Sequence, residues 1–248
     1  MWQTDSMATA SGFRARVRAE LTQEIKDEAR RQLAEEGASA LSLRGIARQL
    51  GMVSSGIYRY FKSRDELLTA LIIDAYDALG AAVEAADEGC ERLEFAARWR
   101  ACCRGVREWA LQHPHEYALI FGSPVPGYRA PEDTTSPASR VTMALVAVIR
   151  DAAAAGALRQ PFAPDMKPVL SKEAATEARH IQAMGLVGVP DDAIVRSVIA
   201  WTHLFGAVSF ELFGRYVDIV EDVDSMFEQA VTDMTAFIGI VSPDRPPK

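Results

Sequence analysis

Between Ser42 and Leu67 the chain reads SLRGIARQLGMVSSGIYRYFKSRDEL, two short helical patterns with almost no room between them. Leu43, Ile46, Ala47 and Leu50 share one face of the first; Ser42 offers its N-cap and Gly51 its stop. The second pattern runs from Ser54 to Phe61. Ser63-Arg64-Asp65-Glu66 is a capping box that opens a longer helix carrying Leu68, Ile72, Ala75, Leu79 and Val83. Ahead of the pair, Val17, Leu21, Ile25, Ala29 and Leu33 step by four toward a stop at Gly37.

The remainder also has a helical period. Phe95, Trp99, Cys102, Val106, Trp109 and His113 form one stripe. A loop rich in Gly and Pro (122–133) leads to a helix near 136–155, a Pro-punctuated segment and a polar helix near 171–184. The stretch 191–214 is apolar on nearly every side and must be covered on two. The last helix, about 223–240, carries Val223, Met226, Phe227, Ala230, Val231, Met234, Phe237 and Ile238 at clean spacing, before a tail (SPDRPPK) expected to fray. No internal repeat and no convincing strand is present. The expected fold is all-α, with a helix-turn-helix head over 14–64 and a larger helical domain over 65–242.

Charge separates the two parts. The whole 248-residue chain has a net charge of −7, yet residues 1–64 hold 11 Lys+Arg against 7 Asp+Glu, while residues 65–248 hold 16 against 27. A basic head on an acidic body makes the head the candidate for a polyanion. Helix-turn-helix pairs also serve as plain structural elements, so the side chains decide. Ser54, Ser55, Tyr58, Arg59 and Tyr60 all carry groups able to hydrogen-bond, with Lys62 and Arg64 close behind. Such groups supply most phosphate contacts, and Arg is the commonest reader of guanine. A solvated face would be rich in Glu and Lys instead. The reading is DNA binding.

These residues carry a resemblance. Gly37, Ser42-Leu43-Arg44, Ile46-Ala47, Leu50-Gly51 and the run Ile57 to Leu67 resemble the DNA-binding head of TetR-family transcriptional regulators over roughly 17–72. His113 to Gly122, Trp201-Thr202-His203-Leu204-Phe205-Gly206 and Glu211-Leu212-Phe213-Gly214 resemble the subgroup whose C-terminal domain is named for Trp, His and Gly. The resemblance implies that Arg44, Ser54, Ser55, Gly56, Tyr58, Arg59, Tyr60 and Arg64 touch DNA. Arg44 and 54–56 would read bases, while Tyr58, Tyr60, Lys62 and Arg64 grip phosphates. Two positions depart from the pattern. Val53 stands where the family often has a Ser or Thr cap, and Gly56 sits inside the expected reading helix, weakening it by ~1 kcal/mol relative to Ala.

For the body, Trp99, Trp109, His113, Tyr117, Phe121, Trp201, His203 and Phe205 are aromatic and polar groups suited to a small-molecule pocket. Such stripes are more often core than cavity. The stretches 191–214 and 223–240 would form a four-helix homodimer interface, hiding Phe227 and Met234. His113 and His115 flank Pro114, with His180 and His203 elsewhere; no Cys lies near the pair, and neither metal nor cofactor is expected. Cys90, Cys102 and Cys103 form no even disulfide framework, and the adjacent pair lies on a Trp-lined stripe that favours packing over oxidant sensing.

No nucleophile elbow, P-loop, dinucleotide fingerprint or zincin motif is present, so an enzyme is not expected. No secretory leader and no membrane span are read, which leaves a cytoplasmic protein. The expectation is a homodimeric regulator of a palindromic operator in double-stranded DNA, a repressor released by a small apolar or aromatic ligand. The alternative is a helical small-molecule binding protein or cryptic enzyme without DNA binding.

Overall fold

A computed structural model describes residues 4–241, with side chains from Gly12 onward. The tail expected to fray lies outside the described residues. Among the described residues nine α-helices follow one another: α1 Thr4–Glu36, α2 Leu43–Gln49, α3 Arg64–Glu88, α4 Phe95–Gln112, α5 Pro114–Phe121, α6 Thr135–Ala154, α7 Lys172–Ala183, α8 Asp191–Leu212 and α9 Val223–Ile238. The chain packs as two compact units. The first runs to Ala75 and takes in His115–Thr134; the second holds Tyr76–Pro114 and the chain from Thr135. Thus α3 contributes to both.

The first unit closes around the apolar faces visible in the sequence. Ile25, Ala29 and Leu33 of α1, Leu43, Ile46 and Ala47 of α2, then Ile57, Phe61, Leu67, Leu68 and Leu71 form one buried cluster. Ser42 Oγ accepts the Gly45 N–H at 3.2 Å, so the expected cap of α2 is made. Gly51 takes φ +65°, and the Met52 N–H returns to the Ala47 carbonyl at 2.8 Å, closing the helix as a left-handed stop does. Ser63 Oγ accepts the Glu66 N–H at 3.1 Å, while the Glu66 carboxylate accepts from the Lys62 N–H at 2.6 Å. The box therefore reaches back one residue further than the sequence implies.

The second short helix is where sequence and structure differ. Only Ile57–Arg59 is helical, as one 3-10 turn, with looser turns at 54–56 and Tyr60. The first unit also recruits a distant stretch. Leu119, Val125 and Tyr128 pack on its core, the Tyr128 and Thr69 hydroxyls lie 2.9 Å apart, and Glu116 pairs with Arg30 at 3.6 Å.

In the second unit α4 packs against α6, α8 and α9, and α8 against α7 and α9. Trp99, Cys102, Cys103, Val106 and Trp109 are buried along α4, so the aromatic stripe is core. Arg98 is wholly buried, and its guanidinium donates to Asp87 at 2.6 Å and Asp151 at 3.0 Å. Arg107 ties α4 to Glu211 of α8 and Asp224 of α9. An isolated antiparallel bridge joins Leu158 to Ile240. Gly239 is needed there, because φ is +95° and a Cβ would collide with the Arg159 carbonyl oxygen. By length and composition α8 alone among the described helices is apolar enough to cross a membrane, and 39% of that stretch is buried in its own unit.

Candidate functional site

Packing decides which side chains of the head face outward. Ile57 is fully buried and Phe61 nearly so, and anchoring these two leaves Tyr58 and Arg59 exposed on the 3-10 turn. Ser54 and Ser55 are exposed on the turn before it. The Gly56 N–H donates to the Val53 carbonyl at 2.7 Å, and a Cβ on Gly56 would lie 3.1 Å from that oxygen. Gly56 thus stands at the mouth of the turn rather than within a helix, and the cost expected for it as an interior glycine does not apply. Arg44 is exposed in the first turn of α2, and Lys62 is exposed beyond the second element.

Among the described residues neither Arg44, Arg59 nor Lys62 has an acidic partner, and Arg48 in the last turn of α2 also lacks one. On α1 of the same unit Arg31 pairs with Glu28 and Glu35, and Arg30 with Asp27 and Asp74. Unpaired cations beside exposed hydroxyls form a surface able to meet phosphate oxygens and base edges.

Two of the expected contact residues also make contacts within the head. Arg64 Nη2 donates to the Ala38 carbonyl at 2.8 Å and more weakly to that of Ser39 at 3.4 Å. Its guanidinium braces the 3-10 turn Ala38–Ala40. Tyr60 is half-buried against the head core, with the Arg18 guanidinium 5.4 Å over its ring. Arg18 itself escapes sequence reading. Its Nη2 donates to the Arg59 carbonyl at 2.9 Å, holding the 3-10 turn from 41 residues away, and nothing local marks such a partner.

The eight aromatic and polar residues expected in one pocket are distributed. Trp99 and Trp201 line a cavity of about 260 Å³ among α4, α6, α7 and α8. Phe205 tilts against Trp201 at 5.7 Å between centroids. His203 lines a different space, an apolar groove of about 480 Å³ between α8 and α9. Trp109 is buried and His113 stacks on it at 5.1 Å, its Nδ1 3.0 Å from the Trp109 carbonyl. Tyr117 and Phe121 belong to the first unit, 4.9 Å apart.

Phe227 and Met234 border the same groove and are already 4% and 5% exposed within their own unit, so much of their cover comes from their own chain. Ile199 and Met226, about half exposed, are the open apolar groups of that groove. The two adjacent thiols are equally shut in. Burial pushes Cys102 up to about 12 and Cys103 well above the ordinary thiol range, which leaves no reactive thiolate.

Known proteins bear on both units. A family model described as bacterial regulatory proteins, tetR family, matches residues 25–71, and one described as tetracyclin repressor-like, C-terminal domain, matches residues 99–234. The HTH-type transcriptional regulator Rv1816 of Mycobacterium tuberculosis (strain ATCC 25618 / H37Rv) is 39% identical over 237 residues, covering 92% of this chain and 96% of that one. The crystal structure of SCO4313 superimposes with a TM-score of 0.71 at 36% identity, over 89% of this chain and 97% of that one. The TetR family transcriptional regulator PfmR from Thermus thermophilus shares the fold, with a TM-score of 0.54 at 18% identity over 85% of this chain and 96% of its own. The matched residues 25–71 contain α2, the 3-10 turn and the exposed cations Arg44, Arg48, Arg59 and Lys62, and the chain belongs to the TetR family of DNA-binding transcriptional regulators.

Proposed function

We propose that this regulator is a repressor that grips a palindromic operator as a homodimer and releases it when a small apolar or aromatic effector enters its second unit. The observation that carries the reading is the exposed turn from Ser54 to Arg59, flanked by Arg44 and Lys62, whose charges meet no counter-ion among the described residues. Arg44 and residues 54–56 read bases. Tyr58, Arg59 and Lys62 hold phosphates. One such head makes few contacts, and two heads related by a twofold axis read half-sites about a helical turn apart.

The groove between α8 and α9 supports pairing of two chains. Ile199, Met226, Ala230 and Phe237 line it, and an open apolar face on a helical pair is the usual form of a self-complementary contact. The effector reading draws on the cavity at Trp99 and Trp201. Helices α4 and α6 both contribute to it, and in sequence they bracket the stretch 115–134 that belongs to the first unit. A ligand that shifts α4 against α6 therefore pulls on a stretch held by the head, and a small displacement is enough to spoil the match of two heads to one operator. An operator on chromosomal DNA implies a protein that works in the cytoplasm.

Selection from a random duplex library tests the reading. The expected product is an inverted repeat, bound in low-salt and physiological buffer alike. Recovery of no enriched sequence, or of a single unrepeated half-site bound by a monomer, would overturn it.

A further inference from the structure

We infer that Val53 reads the 5-methyl group of one thymine in each operator half-site. The inference rests on the operator reading above and adds to it a base named by apolar contact, at a residue that offers neither charge nor a side-chain hydrogen bond.

An exposed valine carries no message by itself, since single apolar side chains are common on protein surfaces. The place of this one does. Among the described residues of the first unit, the large apolar side chains left exposed are Phe13, Val53 and Tyr58, and Val53 is the most open at 74%. It directly precedes the exposed Ser54 and Ser55, and its carbonyl accepts the Gly56 N–H at 2.7 Å. Val53 therefore opens the turn that leads into Ile57–Arg59.

Inside the fold its side chain has no task. It is not buried, and the 3-10 turn that follows has no side-chain cap, a service that Ser or Thr renders at such a position and valine does not. The backbone bond to Gly56 is open to any residue at 53.

The surroundings are methyl groups. Val53 Cγ2 lies 3.4 Å, and Met52 Cε 3.8 Å, from the point where a Cβ on Gly56 would stand. With glycine there, a small space walled by two alkyl groups remains beside the exposed serines. Phosphate oxygens and the polar edges of bases gain nothing from such walls. In the major groove the thymine 5-methyl is the alkyl group that unmodified bases present, and it is the guest these walls suit.

The test uses the full-length chain and the operator recovered by selection from an unmodified library, in which thymine is the one base with a 5-methyl group. Uracil is placed at each thymine in turn, in both half-sites together, which removes methyl groups and nothing else. At one position affinity measured by fluorescence anisotropy should fall about fourfold per half-site, the effect of losing one buried methyl. Val53→Ala should bind the thymine operator about as weakly as the wild type binds that uracil operator, and should lose nothing further on uracil. Its melting point should match the wild type's, because so exposed a side chain supports no core.

The inference fails if the wild type is indifferent to uracil at every thymine, or if the uracil penalty persists in Val53→Ala. It fails equally if Val53→Ala weakens operator and random duplex by one factor, which would place the side chain away from the bases. A lower melting point of that variant would make Val53 a support of the turn and overturn it too. The operator reading is tested apart: a selection that enriches no sequence removes that reading and this inference together, whereas a recovered operator indifferent to uracil removes this inference alone.

Discussion

Arg64 and Lys62 lie two positions apart on the same basic run, and the fold gives them opposite duties. Arg64 directs its donors to the carbonyls of Ala38 and Ser39, whereas Lys62 offers its ammonium to solvent. Arg64→Ala should therefore destabilise the head by about 1–2 kcal/mol, since two carbonyls lose a charged donor, and lower its melting point. Lys62→Ala should leave the melt alone, weaken all DNA sequences alike and reduce the salt slope by about one per half-site. Arg44→Ala should cost about 1–3 kcal/mol on the operator and relax preference at one base pair. Equal losses on operator and random DNA would remove Arg44 from the base readers. The cysteines give a second check. With Cys102 and Cys103 buried and their thiols raised, a disulfide-exchange reagent should modify half-buried Cys90 first and the other two only on unfolding. Prompt reaction of all three would contradict the burial.

Helix α9 shows how far a period carries and where it stops. The spacing from Val223 to Ile238 marks an amphipathic helix correctly, but one apolar stripe contains two faces. Phe227, Val231, Met234 and Ile238 are buried in the second unit, while Met226 and Ala230 line the open groove. Phe227→Glu should thus unfold that unit, whereas Met226→Glu should keep the helical circular dichroism and shift the protein to monomers in sedimentation. An intact dimer of folded Met226→Glu would remove the groove as the interface. Periodicity reports that a residue is covered, not by what. The same limit explains the rest. The caps at Ser42, Gly51 and Ser63 are legible because capping is local. The position of the second element of the head is legible too, but not its length, because Ile57 and Phe61 satisfy a 3-10 turn as well as an α-turn. Arg18 holding the Arg59 carbonyl, and Tyr128 reaching Thr69, join positions 41 and 59 residues apart. No local pattern encodes such pairs, and so the support of the head by 115–134 is invisible in the sequence.

At the scale of the whole chain, acid and ligand address the second unit by different routes. Burial alone would raise Asp87, but the hydrogen bonds and charges of Arg98 and Arg92 outweigh it and hold the carboxyl below its ordinary range. A hydrogen bond from Arg140 does the same for Glu84. Groups lowered by folding stabilise above their unfolded values, near pH ~4, and that stability is lost as pH falls through the folded ones. The urea midpoint of the second unit should accordingly drop between pH 6 and pH 3; a midpoint that holds steady would show these pairs to be energetically idle. Effector control obeys a stricter rule, because it is a coupling between two binding equilibria. An effector that weakens operator binding by some factor must itself bind the operator complex more weakly by that same factor, typically about 5–150-fold for couplings of this kind. The cavity helices α4 and α6 bracket the stretch that carries Tyr128, so Tyr128→Phe, which deletes the bond to Thr69, should shrink that factor while both single affinities change little. Titrating the effector against free protein and against the operator complex, for wild type and Tyr128→Phe, measures all four affinities. A coupling factor unchanged in Tyr128→Phe would take the 115–134 stretch out of the route and leave α3, which contributes to both units, as the remaining candidate.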